Sequence, residues 1–409
     1  MSNIERNARK TEVVIVGGGL AGSTAAAMLG RAGIDTVLID PHTIYPPDFR
    51  CEKLEEAQVA VLRKTGLADA VLGSATPDGD SWIARFGRLI DKRPGDQYGI
   101  LYDSLVNTIR AEIPPSVAFI QGKVADISTN AEQQTVTLSN GDEWSAHLVV
   151  LANGLNSGLR DKLGMTREDL SKCHSIMLGF DLKPANRPAF DFPALTYYSE
   201  RATAQTAFLT LFPVGSTMRA NLCIYRQMDD PWLRKFREAP EATLFAIMPG
   251  LKRITGDFKV PGTIKIRPAD LYVTKGHIQA GVVLVGDAFA TSCPAAGTGT
   301  GKVFTDVERL CNVHIPRWLT TVGMDRDKIA SFYDDPIKRS CDTHSFAKAY
   351  SLRALSIEPG LLWSARRWAR FIARLGLFAL RRLRVPLSIQ PSHRGTGIEE
   401  TRADFRKAA

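Results

Sequence analysis

The chain has 409 residues, 44% of them hydrophobic and 23% charged, an ordinary globular composition with enough length for one large domain or two closely joined ones. Lys and Arg outnumber Asp and Glu by 52 to 43, and the formal charge of +9 gathers at the C-terminal end; without a nucleic-acid-binding fold or interleaved aromatic platform it does not indicate a nucleic-acid partner. The six cysteines stand singly, with no C-x-x-C pair, which argues against a disulfide framework or a structural zinc and predicts a reduced, cytoplasmic protein with no metal centre. The polar N-terminus and the glycines that follow it predict neither a signal peptide nor a spanning helix.

Residues 12–16 (EVVIV) read as a strand buried on both faces, and they lead directly into Gly17, Gly18, Gly19, Leu20, Ala21 and Gly22. Residues 23–32, rich in alanine, read as a helix. This is G-x-G-x-x-G between a strand and a helix: Gly17 permits the turn, Gly19 lets a pyrophosphate approach the backbone, and Gly22 lets the helix pack on the strand. The helix N-terminus then turns its free N–H groups toward the phosphates. A second strand, 36–39, ends at Asp40, where a carboxylate can accept both hydroxyls of an adenosine ribose. The residues therefore predict a bound dinucleotide. Beyond Asp40 the irregular, proline-bearing segment 41–49 precedes Arg50 and a helix over 52–67, where a nicotinamide dehydrogenase continues with regular β-α units; FAD is favoured. Segments 117–121, 124–127, 135–138 and 147–151 complete the sheet, with a helix over 102–113, and the last strand runs into Ala152, Asn153 and Gly154.

From about residue 173 to 267 the pattern changes to alternation, with strands expected over 176–182, 195–199, 207–212 and 219–225. These make an inserted mixed or antiparallel sheet, and Tyr197, Tyr198, Phe208, Leu211 and Phe212 are its candidates for lining an apolar pocket. No residue earns a catalytic label; His174, Tyr197 and Tyr225 are candidates for a general base. A buried strand, 282–285, then meets Gly286 and Asp287, followed by Pro294, the alternating glycines Gly297, Gly299 and Gly301, and a helix through 303–311. Farther on, residues 361–384 form a basic amphipathic helix with Arg367, Arg370, Arg374, Arg381 and Arg384 on one side and Ala365, Trp368, Phe371, Ile372, Leu375 and Phe378 on another. Such a helix either lies on an anionic membrane surface or packs on the flavin domain with a solvated arginine face, and Gly376 permits a break in it. Residues 390–409 read as loosely ordered.

Three ordered motifs, GGGLAG at 17–22, LANGLNSGLR at 151–160 and GDAFATSCPAAGTGTG at 286–301, give the chain a resemblance to the p-hydroxybenzoate hydroxylase-like (class A) FAD-dependent monooxygenases, especially the ubiquinone-biosynthesis hydroxylase branch. The likeness covers about residues 11–355, and residues 329–339 fit the family's helix with tyrosine and arginine. It implies an α/β fold: a Rossmann-like FAD-binding domain (GR2-type) in two parts, 1–172 and 268–355, an inserted β-sheet substrate domain at 173–267, and a C-terminal basic helical region and tail at 356–409. It also implies FAD contacts from Leu20, Ala21, Arg50, Val124, Asn153, Gly154, Gly286, Asp287, Pro294, Gly297, Thr298 and Gly299, added to Gly17, Gly19, Gly22 and Asp40. Asp287 would accept from the ribityl chain, Pro294 would lie against the isoalloxazine, and the glycines with the following helix would bring N–H groups and a positive dipole end to its pyrimidine edge. The implied reaction is hydroxylation of an aromatic or lipophilic small molecule by a flavin C4a-hydroperoxide, with NAD(P)H as a transient reductant, since no second G-x-G-x-x-G follows a strand.

The chain departs from the family at two positions. Asn153 replaces the acid that serves flavin and NADPH in the family, and Tyr102 stands where an arginine is expected, leaving Arg50 or Arg110 to supply that flavin contact. Three alternative readings remain. A flavin halogenase needs W-x-W-x-I-P, which none of the six tryptophans provides. A reductase or dehydrogenase of isoprenoid or lipid substrates, similar to the geranylgeranyl reductases, suits the basic helix and Asn153. A flavin-bound, membrane-associated binding protein is the third.

Overall fold

The structure, a computed structural model, describes residues 9–383; expectations for the N-terminal octad, for Arg384 and for 390–409 lie outside the described residues. In a seven-stranded first sheet, Ala118–Gln121, Thr36–Asp40, Arg9–Val16, Glu143–Leu151 and Val282–Leu284 run parallel, and Gln134–Leu138 and Val124–Ser128 add an antiparallel flank. Parallel strands covered on both faces need apolar side chains in both directions, and Val13, Val14, Ile15, Leu148, Val149 and Val150 are all fully buried. The helices Leu20–Arg31 and Gly299–Arg309 pack on this sheet, each starting at one of the glycine motifs.

An eight-stranded second sheet has the order Phe258–Lys259, Thr166–Pro184, Thr217–Ile224, Thr206–Val214, Ala194–Tyr198, Ser81–Arg85, Arg88–Arg93, with Lys265–Lys275 also paired to Thr166–Pro184. It is antiparallel apart from the Ala194–Tyr198 and Ser81–Arg85 pair. The four expected strands are all present, but the sheet reaches beyond 173–267. Its first hairpin comes from 81–93 and its last long strand ends at Lys275. Both extensions lack clean alternation: a bulge lies between Ile83 and Ala84, Pro268 interrupts Lys265–Lys275, and irregular pairing around Ser171 hides the start of Thr166–Pro184.

Three helices also differ from expectation. The helix read over 52–67 is Glu56–Lys64, because Glu55 and Gln58 form a capping box that fixes its start. The segment 329–339 is not one helix; Arg326–Tyr333 ends and Pro336–Ile357 begins anew, with Asp335 capping the N–H groups of Ile337 and Lys338. The terminal helix Leu361–Leu383 is continuous through Gly376. One face of the second sheet packs on the short helices between 231 and 255, and the other faces the Gly286–Gly301 loop and the long helix Pro336–Ile357.

Candidate active site

The first glycine turn is dictated by space. Gly17 has φ +101°, and a Cβ there would lie 2.7 Å from the carbonyl oxygen of Ala152. At Gly22 a Cβ would come within 1.8 Å of the Gly17 oxygen, whereas at Gly19 nothing stands nearer than Tyr45 at 3.9 Å. Gly17 and Gly22 are thus steric necessities, and Gly19 opens toward solvent. Leu20 and Ala21 are buried in the first helical turn, which carries no acid. Asp40 braces the turn, accepting from Gly18 N–H at 2.7 Å and His42 N–H at 2.9 Å and pairing with Arg110 at 3.2 Å. Arg110 also donates to Gly18 O, so of the two arginines offered in place of Tyr102 it serves the turn. The strand that Val124 opens is held to the same corner by Gly122, whose N–H donates to Asp40 O at 3.0 Å.

Arg50 goes to the other motif, donating to Asp287 at 2.9 Å and to Asp48 at 2.6 Å, with its guanidinium 5.7 Å from the centre of the Tyr102 ring. Burial opposes its charge, but the Asp287 and Asp48 carboxylates beside it favour that charge, and its pKa lies above the ordinary arginine value. Burial raises the Tyr102 phenol, which stays neutral. A second clamp positions Arg50: Asp48 also pairs with Arg267 at 2.8 Å, and buried Glu52 accepts two bonds from Arg219, at 2.8 and 2.9 Å, and one from Asn221. The segment 48–52 is therefore pinned to the second sheet by residues that carry no motif.

The 286–301 loop is held from three sides. Arg160 donates to the carbonyls of Ala288 and Leu155, joining the second motif to the third, and the Tyr272 hydroxyl donates to Asp287 O at 2.7 Å. Gly286, at φ +60°, gives its N–H to Asp306, which is buried with Lys302 and Lys338 at 3.1 and 2.8 Å. Burial alone would raise the Asp306 carboxyl, but the two ammonium groups win and lower it. Pro294 opens a short 3-10 turn, Gly297 follows at φ +65° with its carbonyl bound by Gln58, and the Thr298 hydroxyl meets Ser345 at 2.7 Å. Gly299 begins the helix, which passes into one π turn, Leu310–His314. Asn153 lies against the Gly17 turn and Gly154 follows it at φ +60° with open space above its Cα; Asn153 donates to Asn156 O, while its own Oδ1 is buried without a partner.

Gly17, Gly19, Arg50, Asn153, Gly154, Asp287, Pro294, Gly297, Thr298 and Gly299 all remain partly accessible. Open space over Gly19 and Gly154, an unpartnered amide oxygen and two helix N-termini free of acids suit a long anionic dinucleotide with a polar ring edge, so the residues fit FAD. The general-base candidates separate. Tyr197 faces the opposite side of the second sheet, where its hydroxyl binds Glu200 at 2.6 Å, and it is structural; Leu211 lies in the same core. Phe212 lies against Gly99, under Lys53. Tyr225 and His174 share the loop-facing layer with Cys293 and Met177, and the Tyr225 hydroxyl and His174 Nε2 are buried without partners. Burial, and then the charge of Arg353, lowers the His174 pKa; burial raises that of Tyr225.

A family profile described as an FAD binding domain matches residues 10–313. This chain belongs to that family. The flavoprotein is 25% identical over 321 residues to 3-demethoxyubiquinol 3-hydroxylase of Escherichia coli (strain K12), a match covering 74% of this chain and 79% of the relative. It is also 25% identical over 319 residues to squalene monooxygenase of Mus musculus, covering 73% and 53%. Its fold is similar to that of p-nitrophenol 4-monooxygenase from Pseudomonas putida DLL-E4, at a TM-score of 0.72 and 19% identity over 92% of this chain and 97% of that one. Aklavinone-11 hydroxylase, solved with FAD and aklavinone, gives a TM-score of 0.66 at 18% identity over 86% and 70%. The flavoprotein is an FAD-dependent monooxygenase of the hydroxylase type, and NAD(P)H is the reductant the family implies.

The terminal helix packs through buried Phe371 on Phe86 and Ile90 of the second sheet, not on the flavin-binding sheet. Half-buried Arg367 and Arg374 and exposed Arg370 line a cavity of about 210 Å³ beside it, Arg366 stays in solvent, and Leu361, Leu362, Ile372, Leu377 and Leu380 are exposed. Among the described residues no helix is long and apolar enough to cross a membrane.

Proposed function

We propose that this flavoprotein hydroxylates an aromatic or lipophilic small molecule held between the 293–297 loop and the inner face of the second sheet. The observation that carries the reading is the apolar layer of Met177, Ala207, Cys223, Cys293, Ala295 and Ala296, which joins sheet to loop and contains, besides the two orphaned polar atoms, little that water would seek. When bound, FAD would supply hydride acceptance from NAD(P)H and activation of dioxygen, the chemistry that delivers one oxygen atom to the substrate as hydroxyl and releases the other as water. The chain's own part is to bind, orient and exclude water. Gly17, Gly19, Leu20, Ala21, Gly22, Asp40 and Val124 would hold the adenosine and pyrophosphate end. Asn153, Gly154, Gly286, Asp287, Pro294, Gly297, Thr298 and Gly299 would hold the ribityl and ring end, with Arg50 fixing the Asp287 carboxylate. The neutral His174 imidazole is the group placed to take a phenolic proton, which its lowered pKa leaves it free to do at neutral pH.

The test is anaerobic mixing of the FAD-loaded protein with NADPH and then NADH, with and without phenolic and quinone-like lipids, followed by admission of labelled dioxygen. Flavin bleaching accelerated by substrate and a product carrying one labelled oxygen support the reading; a product changed only in hydrogen content supports the reductase alternative. The exposed leucines of the terminal helix, with exposed Arg366 beside them, support contact with an anionic bilayer, which would suit a lipophilic substrate. Cosedimentation with phosphatidylglycerol vesicles, lost in a Leu377→Glu, Leu380→Glu variant, tests that contact.

A further inference from the structure

The 210 Å³ cavity lies on the same face of the second sheet as the apolar layer, beyond Ala207, which belongs to both. Five arginines, Arg85, Arg201, Arg367, Arg370 and Arg374, line it. Their partners are neutral. Arg85 donates to Ser199 O at 2.9 Å and to Arg367 O, Arg367 donates to Glu358 O at 2.9 Å, and Arg374 lies 5.5 Å from the centre of the Tyr198 ring. No ion pair between these guanidinium groups and a carboxylate is present among the described residues. The neighbouring acid, Glu200, is spent on the far face, accepting from the Tyr197 hydroxyl and from Gly250 N–H. Burial, and next the charge of Arg367, lowers the Arg85 pKa, and the Glu200 carboxylate, which forms no ion pair with it, offsets this only in part. Two of the five come from the sheet side and three from a helix docked by Phe371 against Phe86 and Ile90, so the fold itself brings them together. Concentrating like charge around a cavity is unfavourable unless an anion completes it, and guanidinium groups suit planar carboxylate or phosphate oxygens.

We propose that the arginine cavity binds the carboxylate or phosphate of an amphiphilic substrate whose apolar body extends past Ala207 toward the Pro294 loop. The inference rests on the reading of the protein as a monooxygenase and narrows its substrates to apolar molecules with an anionic end. Leu352 and Ser356 of the long helix also line the cavity, and Ser356 lies beside the Tyr225 hydroxyl, which therefore stands at its inner end.

Calorimetric binding to the FAD-loaded full chain tests this with benzoate and phenyl phosphate, their neutral counterparts methyl benzoate and phenol, inorganic phosphate, and vesicles with and without phosphatidylglycerol. Both aromatic anions are expected to bind at least about tenfold more tightly than the neutral molecules, and an Arg370→Gln, Arg374→Gln variant to lose that advantage. These arginines are exposed or half-buried, and unchanged FAD content and melting temperature in the variant show that it has folded. In the unaltered protein, affinity for the anions should also fall with added salt while affinity for methyl benzoate does not. Equal binding of acid and ester, or an unchanged dissociation constant in the variant, overturns the proposal. Binding to anionic vesicles without binding to any small anion also overturns it and assigns the arginines to a lipid headgroup. Failure of both nicotinamides to reduce the flavin sinks the monooxygenase reading and leaves the anion-binding result standing.

Discussion

The two sheets put function on different parts of the chain. On the parallel sheet the site is made by backbone: Gly17, Gly22 and Gly286 are required by close approach or by positive φ, and any side chain there collides or is strained. On the antiparallel sheet the proposed substrate site is made by side chains on an alternating face, where Ala207, Phe208 or Met177 could each be exchanged for another apolar residue without changing the fold. A backbone site tolerates almost nothing and so announces itself in sequence. A side-chain site tolerates much, and specificity can drift there while chemistry stays fixed.

The most severe way to sharpen this contrast is Gly22→Val, whose Cβ would fall 1.8 Å from the Gly17 oxygen. It should abolish retention of FAD, read as loss of the flavin absorbance on gel filtration. Next, Lys338→Met leaves Asp306 buried beneath Gly286 with half its compensation and should cost about 3–5 kcal/mol in chemical denaturation. Asp287→Ala removes a charged acceptor and frees Arg50, and FAD affinity should weaken by about 1.5–3 kcal/mol in equilibrium titration.

A smaller effect is expected at Asp335, where burial would raise the carboxyl but Arg309, the Lys338 N–H and His314 bring it down to about 2. A depressed carboxyl stabilises above its unfolded pKa and loses that contribution as pH falls through the folded value. Asp335→Asn should therefore cost at most about 2.5 kcal/mol at neutral pH, with the difference from the unaltered protein closing between about pH 4 and pH 2. Smallest of all, Phe208→Leu should leave FAD binding and melting within about 1.5 kcal/mol of the parent while altering substrate preference. A Phe208→Leu protein that released its flavin would break the contrast between the two sheets.

The same contrast explains what could be read from sequence. The glycine turns, Asp40, Asp287 and the parallel strands were legible because steric need and double burial leave few choices of residue. The Ser81–Arg93 hairpin was not, because a bulge shifts its register, nor was the Lys265–Lys275 strand, which contains a proline. The Asp48, Glu52, Arg219 and Arg267 clamp and the Asp306, Lys302 and Lys338 cluster were missed for another reason: their members lie far apart in the chain and each reads alone as a surface charge. The terminal arginines were legible as a group but not in direction. A helical wheel gives their common side, and only the docking of Phe371 shows that Arg367 and Arg374 are drawn toward the second sheet while Arg370 stays at the cavity rim.

The strand Glu143–Leu151 takes Gln134–Leu138 along its first half and Val282–Leu284 along its last residues. During synthesis the first partner is already made, but the second is not until the ribosome reaches Val282. Val149, Val150 and Leu151 must therefore wait as an open, apolar sheet edge while the whole substrate sheet up to that point is translated, the kind of edge on which nascent chains pair with one another. The segment that closes this edge is also the one that brings Gly286 and Asp287, so the chain covers this exposed edge at the same moment that it gains the last part of the proposed cofactor site.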